Sequence, residues 1–239
     1  MNDMQKTPQL DDRMAKAASL VREGATIADV GTDHGYLPIS LLRAGKIRRA
    51  AASDIHRGPL MHAMANAKKY GVADQIRFFL SDGLQNIPLQ DMGITDIVIC
   101  GMGGEGIARI LSESAYVRNA KISLILQPMS ATEKLRAYLA GAGFAITEER
   151  IAASKGKLYQ CICAQYDGIP KNCTPAELLL GKQILQRGVE DPLFSPLLQK
   201  YIQKTRQEYT GKLQGGAADG KQTRFLLEEL LQIAKDKGI

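Results

Sequence analysis

The sequence predicts an α/β protein: a seven-stranded, mostly parallel sheet closed by an antiparallel last strand, followed by a small all-helical carboxyl-terminal domain. Three observations carry this expectation. Short apolar runs alternate with segments of helical period from residue 25 to residue 143. The runs "TDIVICG" and "ISLILQP" are apolar throughout, as strands covered on both faces must be. The last two runs, "FAITEERIAAS" and "KLYQCICAQY", meet at Gly156 with no room for a parallel crossover, so they form an antiparallel hairpin.

Taken in order, Leu10, Met14, Ala17, Ala18 and Val21 recur at helical spacing, and Gly24 ends that helix. "TIADVG" then reads as a strand, "YLPISLLRAG" as a helix, "RRAAASDI" as a strand and "GPLMHAMANAKKYG" as a helix. "IRFFLSDG" and "TDIVICG" are strands, "GEGIARILSES" a helix, "ISLILQP" a strand and "ATEKLRAYLAGAG" a helix closed by glycines. With the hairpin, the sheet accounts for residues 1–166. Residues 167–239 carry no strand signal. There "TPAELLLGKQILQRG" reads as one helix with Thr174 as N-cap and Pro175 in its first turn. Two apolar stripes follow, Phe194 to Ile202 and Phe225 to Ala234, parted by the turn-rich "QGGAADG".

Hydrophobic residues make up 45% of the 239, enough for a real core, and charged residues 23%. No apolar run approaches the roughly 18 residues of a membrane span, and no basic-then-apolar leader is visible, so the expectation is a cytoplasmic protein. Cys100, Cys161, Cys163 and Cys173 lack the C-x-x-C spacing of a zinc or redox site, and with three histidines no metal centre is expected. The net charge of +6 is modest, but basic residues gather at Arg43–Arg49, at Lys155 and Lys157, and at Lys200–Arg206. These are either solvated faces or the footprint of a phosphate-backbone partner.

Ligands of an open α/β sheet sit at the carboxyl ends of its strands. There stand "DVGTDHG", Asp54, "SDG", "CGMGGEG" and "QPMS". Gly31 and Gly35 permit a tight turn and close approach of a ligand, and the helix starting near Tyr36 offers free amides. Asp54, about 20 residues on, is placed to accept both hydroxyls of a ribose, and Asp82 stands at the next tip. The first loop lacks the G-x-G-x-x-G spacing that admits a pyrophosphate. It begins instead with an acid, Asp29, which suits a cationic cofactor such as S-adenosylmethionine better than nicotinamide dinucleotides.

In "ADVGTDHGYLP", "SDI" with "GPL", "SDGL", "CGMGGEGI" and "LILQP" the chain resembles the bacterial tRNA (adenine-22-N1)-methyltransferases, the TrmK family. The resemblance continues through "GKLYQCICAQY" and more loosely into the helical tail. It implies a Rossmann-like class I methyltransferase domain over residues 1–166 and methyl transfer from S-adenosylmethionine to adenine N1 in the D-arm region of tRNA. It further implies that Asp29, Gly31 and Gly35 form the methionine-side loop and that Asp54 holds the ribose. Asp82 with Gly83 meets the cofactor adenine, and Gly101 presents its backbone near the reactive methyl. Asp33 departs from the glycine many class I enzymes carry at its position; it serves either the cofactor ammonium or the target amine.

Two residues have double readings. Tyr36 gives the target adenine an aromatic face or packs at the helix start; His34 handles the N6 proton or caps that helix. Asp33, His34 and Tyr36 are thus the candidate catalytic residues. The absence of an N-P-P-Y-like motif at "GMGGEG" argues against exocyclic-amine chemistry. Acceptors other than this tRNA position, namely another RNA or a small molecule, stay open, as does a nicotinamide-dependent oxidoreductase. The helical tail either grips tRNA or covers the sheet, and the default assembly is a monomer.

Overall fold

The computed structural model describes residues 7–214 and 220–239. Its strands are β1 (Ala25–Val30), β2 (Ile47–Asp54), β3 (Ile76–Leu80), β4 (Asp96–Gly103), β5 (Ser123–Ser130), β6 (Phe144–Ser154) and β7 (Lys157–Tyr166). They form one sheet in the order β3-β2-β1-β4-β5-β7-β6. Pairs among β1 to β5 are parallel, and β7 is antiparallel to both β5 and β6. Strand order reverses between β1 and β4, which fixes where a ligand crevice opens. The hairpin is as expected, with β7 inserted between β5 and β6.

Helix α1 (Asp12–Leu20) precedes β1, and α2 (Tyr36–Arg43), α3 (Arg57–Lys69), α4 (Gly104–Ser112) and α5 (Thr132–Gly141) lie between strands. Two cores result, one on each face. Ile97, Ile99, Leu124 and Leu126 point into the core shared with α4 and α5, whereas Ile27, Val98 and Ile125 point into that shared with α1 and α2. This period-2 alternation of wholly apolar strands is why β4 and β5 carry no polar face. Cys161 and Cys163 share one strand face, as expected: the Cys161 thiol lies 3.8 Å from the Arg13 carbonyl and the Cys163 sulfur 3.3 Å from Ser123 Oγ. Burial pushes the Cys161 thiol up to about 12, so it stays protonated and behaves as a small hydrophobe.

Charged residues pin two places. At the end of the sheet away from the ligand crevice, fully buried Asp96 accepts from the Arg22 amide at 3.0 Å and from its guanidinium at 2.6 and 2.8 Å. The same guanidinium donates to the Thr95 and Lys121 carbonyls, tying the exit of α1 to β4 and to the start of β5. Beneath α5, Arg136 donates to Glu149 of β6 at 2.7 Å and to Gln160 of β7, all three buried.

The chain divides into compact units between Lys171 and Asn172. The Asp167, Gly168 and Lys171 amides donate to the Gly143 and Ala140 carbonyls, which holds the residues after β7 to the first unit. In the second unit Thr174 caps as expected, within a capping box with Glu177 and with Pro175 at the first turn. The expected single helix is interrupted: α6 (Pro175–Leu180) and α7 (Lys182–Arg187) are parted by Gly181 at φ 93° and ψ 134°. Only glycine takes that conformation cheaply, so "LLLGKQ" breaks where its apolar periodicity alone suggests continuity. Helices α8 (Phe194–Gln214) and α9 (Gly220–Asp236) carry the two stripes. Phe194, Leu197 and Leu198 are buried, but Phe225 of the second stripe is exposed and Leu227 takes the inward position. The turn expected within "QGGAADG" falls on residues 215–219, outside those described.

Candidate active site

At the carboxyl ends of β1 and β4 lies a cleft of about 560 Å³. Asp29, Gly31, Asp33, His34, Gly35 and Tyr36 line it, with Gly101 across from them. The structure thus gathers into one cleft all three candidate catalytic residues and the expected methionine-side loop. Asp54, Asp82 and Gly83 are not among its lining residues. They continue the row of strand tips along β2 and β3.

The loop after β1 is held by its backbone. The Gly31 and Thr32 amides both donate to the Ser53 carbonyl at 2.8 Å, and Gly31 has φ +77°. Gly35, at φ +69°, is the N-cap of α2 and uses no side chain for capping. His34 is therefore not the cap, which removes one of its two readings. The first-turn amides of α2 at Tyr36 and Leu37 have no intrahelical acceptor, and Pro38 has no amide to offer. A methyl group on Gly35 would stand 3.1 Å from the Ala63 side chain, so α3 would have to give by a few tenths of an ångström to admit one.

Asp29 is buried, and burial is the first cause that raises its carboxyl from 3.8 to about 6. The Thr32 hydroxyl beside it acts the other way, and the charge on Asp54 raises it further. Thr32 Oγ1 is itself buried without a hydrogen bond of ordinary geometry, so its help to Asp29 is weak. A carboxylate so placed gains from a cationic group in the cleft. The Cys100 thiol is pushed well up, by burial and then by Asp29, and stays protonated.

Asp54 is not the N-cap of α3: that position is His56, whose amide donates to Asp54 Oδ1 at 2.8 Å. Asp82 accepts from Arg109 of α4 at 2.8 Å, and Arg109 also bridges to Glu113. Gly83, at φ +58°, packs where a methyl group would stand 3.0 Å from Ile110. The second reading of Tyr36, packing at the helix start, is incomplete. The residue is 39% exposed, and its ring stacks on His34 at 5.3 Å between centroids. His34 stacks in turn on His62 of α3 at 5.5 Å, and its Nε2 lies 3.3 Å from Asp33 Oδ2.

Sequence reasoning missed several of these neighbours. Arg109, His62 and Asn66, which donates to the His34 carbonyl at 2.9 Å, sit on helix faces and carry no loop motif. Arg13 and fully buried Gln127 were missed as well: Gln127 Oε1 accepts from Arg13 Nη1 and from the Gly101 amide at 3.2 Å. Gln127 stands in the "QPMS" tip, a signal that was available. Glu105, in the first turn of α4, pairs with Lys134. Met129 is exposed, and Met102 is half-buried against the first core. Among the described residues, no group of three or more His, Cys, Asp or Glu is placed to hold a metal ion. No helix there is long and apolar enough to cross a membrane.

Gly104 starts α4 against the β5–α5 connection. A methyl group there would stand 2.2 Å from the Ala131 carbonyl oxygen, a backbone atom that cannot swing away. Gly104→Ala is expected to cost about 1–3 kcal/mol or more. Each kcal/mol lowers the melting point by roughly 2–4 °C at this size, which thermal unfolding would read. An unchanged melting point would mean that the connection yields.

Residues 10–162 match a methyltransferase domain model. The chain is 31% identical over 229 residues to the tRNA (adenine(22)-N(1))-methyltransferase of Bacillus subtilis (strain 168), covering 93% of this chain and 92% of that protein. The crystal structure of the B. subtilis m1A22 tRNA methyltransferase TrmK superposes with a TM-score of 0.76 at 30% identity, over 96% of this chain and 98% of that one. M. capricolum TrmK, solved with S-adenosyl-homocysteine, gives a TM-score of 0.77 at 25% identity over 97% and 99% of the two chains. A Streptococcus agalactiae protein of the NADB-Rossmann superfamily gives 0.84 at 29% identity over 95% and 97%. With the strand order, the row of carboxylates at the strand tips and this similarity along nearly the whole length, the chain belongs to the tRNA (adenine-22-N1)-methyltransferase family of class I methyltransferases.

Proposed function

We propose that this protein transfers the methyl group of S-adenosylmethionine to N1 of adenine 22 in tRNA. The observation that carries the reading is the row of carboxylates, Asp29, Asp54 and Asp82, on the tips of β1, β2 and β3 beside a glycine-turned cleft. The site fits this cofactor. A buried acid poised for a cation, two left-handed glycines and free helix amides accept its amino-acid end without the diphosphate cradle of dinucleotide binders. S-adenosylmethionine supplies an electrophilic methyl group when bound.

In this assignment Asp29, Gly31 and Gly35 hold the methionine side, Asp54 the ribose hydroxyls, and Asp82 with Gly83 the adenine. Arg109 keeps one Asp82 oxygen engaged and so orients the carboxylate. Adenine N1 attacks with an in-plane lone pair, so no base needs to act first. The chain's main contribution is alignment. Tyr36, backed by His34 and His62, offers an exposed ring face to an adenine drawn out of its stack. Asp33 and His34 form a pair able to take the N6 proton after transfer. Gly101, fixed by Gln127, presents its backbone to the reacting atoms. Every residue invoked lies in the first unit, so one chain completes the site and a monomer suffices. A tRNA substrate in turn places the protein in the cytoplasm.

The deciding experiment incubates the protein with labelled S-adenosylmethionine and unmodified tRNA, then analyses nucleosides. 1-Methyladenosine at position 22 is expected. Incorporation elsewhere, or into another acceptor, would overturn the substrate assignment. S-adenosylhomocysteine should raise the melting temperature and a nicotinamide dinucleotide should not.

Asp29 gives this reading a pH signature. Below about 6 its carboxyl keeps a proton that a cationic ligand must displace, so affinity falls as pH drops through that value and levels off above it. S-adenosylhomocysteine should bind roughly tenfold more weakly at about pH 5 than at about pH 7. Calorimetry of Asp29→Asn should show a flat profile over that range; a slope as steep as wild type would remove Asp29 from the site.

A further inference from the structure

We propose that the tip of the β6–β7 hairpin, with Lys155 and Lys157 on either side of Gly156, is a phosphate-backbone contact that holds the tRNA strand beside the extruded adenine. The inference rests on the methyl-transfer reading above and adds to it a place where the acceptor, rather than the cofactor, is gripped.

Sheet register carries the hairpin to the mouth of the cleft. Val30 at the end of β1 pairs with Ile99, Ile99 with Leu126 and Leu126 with Ile162, so these four residues lie at one level. Because β7 is antiparallel to β5, its residues from Ile162 back to Lys157 run outward past that level. At about 3.4 Å per residue the turn reaches roughly 17 Å beyond the end of β1. Lys155 accordingly lines the same cleft as Asp33, His34, Tyr36 and Gly101.

The turn runs against local preference. Lys155 and Gly156 are both left-handed, at φ 49° and 73°. A two-residue hairpin of that kind favours Asn-Gly or Asp-Gly, and a lysine in the first place strains the backbone for no gain in packing. Lys155 and Lys157 are exposed, and among the described residues their side chains enter no ion pair or hydrogen bond. The cleft beneath is acidic. Asp11, Asp29 and Asp33 line it, and carboxylates repel an RNA backbone. Arg13, the other Lys or Arg of the lining, is already taken up by Asp11 at 3.5 Å and by Gln127. Lys155 is thus the lining cation free to meet a phosphate. A strand that sends its base towards Tyr36 must keep its phosphates off the three acids, and the hairpin tip offers them a positive charge at the rim. Lysine suits this contact: a mobile point charge with three donors follows a flexible backbone and reads no sequence.

The test measures binding of unmodified tRNA to the full chain over a salt series, with S-adenosylhomocysteine calorimetry alongside. Each lysine that meets a phosphate adds about 0.7–0.9 to the fall of log affinity with log salt. Lys155→Gln combined with Lys157→Gln should therefore flatten that slope by roughly 1.4–1.8 and weaken tRNA roughly 10- to 30-fold at about 0.15 M salt. S-adenosylhomocysteine affinity should not move. Lys155→Asn separates use from scaffold: as the better turn residue it should raise the melting temperature by about 1–2 °C while tRNA binding falls. Lys155→Arg should keep the slope, and Lys121→Gln, just before β5 at the opposite end of the sheet, should match wild type. An unchanged slope in the double variant would overturn the proposal. So would an equal loss in Lys121→Gln, or a loss of S-adenosylhomocysteine affinity in Lys155→Asn, which would hand the lysine to the cofactor. A wild-type protein that binds S-adenosylhomocysteine but no tRNA would sink the acceptor reading and this proposal together; tRNA binding indifferent to both lysines sinks this proposal alone.

Discussion

Asp54→Ala is expected to abolish methyl transfer at ordinary cofactor concentrations while leaving the melting temperature of the protein almost unchanged. Asp54 ends β2, and the hydrogen bond its carboxylate accepts among the described residues is local, from the His56 amide at 2.8 Å. Removing it takes little from the fold. On the proposed assignment it takes much from binding, because a carboxylate accepting two ribose hydroxyls contributes about 1.5–3 kcal/mol through each. Affinity should fall about 10²- to 10⁴-fold, with KM for the cofactor rising far more than kcat falls. Asp54→Asn, which keeps one acceptor, should lose less. The same substitution removes a negative charge that raises the Asp29 carboxyl, so the pH midpoint of residual binding should move down. Retention of wild-type S-adenosylhomocysteine affinity in Asp54→Ala would place the ribose elsewhere.

Arg136→Met is expected to have the opposite profile, with stability lost and no contact to the cleft removed. The guanidinium is 2% exposed and its partner Glu149 fully buried, so the substitution leaves an acid in the interior without its cation. Breaking such a pair from one side costs about 3–5 kcal/mol, or roughly 2–4 °C per kcal/mol in thermal unfolding at this size. Replacing both partners by apolar residues of similar volume, as in Arg136→Met with Glu149→Leu, should recover much of the loss. Urea titration of the single and double variants would measure it. A single variant within 1 kcal/mol of wild type would show that Gln160 and local water satisfy Glu149 without the arginine.

What the sequence made legible follows from what is local. Strands β1 to β7 are legible because β-branched and aliphatic runs bounded by glycine and proline report burial directly. The hairpin is legible because the two residues between its strands, Lys155 and Gly156, cannot carry a crossover. The glycines and acids at the strand tips are legible because parallel strands deliver their carboxyl ends to one edge. Less legible is whatever tertiary packing decides. Arg13 reads as a polar position on an amphipathic helix; it becomes a cleft residue only because Gln127, 114 positions away, turns its amide towards it. His62 sits on the solvent side of its helix by pattern, yet α3 lies beside the loop after β1 and brings the ring onto His34. Gly181 interrupts a convincing apolar period, since a single left-handed residue outweighs the preference of its neighbours. Phe225 shows that a stripe tells which residues are apolar, and packing decides which of them turn inward.

The contrast between the two buried aspartates of the central strands has a consequence for how such a sequence can change over time. Asp96 is satisfied completely by Arg22, and any exchange there is judged only by whether the chain still folds. Asp29 is different: its ionised form is disfavoured in the folded chain, a cost that is full above about pH 6 and fades as pH falls below it. A neutral residue at that position would relieve the cost and, on the proposed assignment of Asp29 to the cofactor, weaken ligand binding, which is the usual tension between robustness and activity. Selection for durability alone would therefore act against one end of the sheet and spare the other, so a buried, poorly paired acid at position 29 is itself a mark of use.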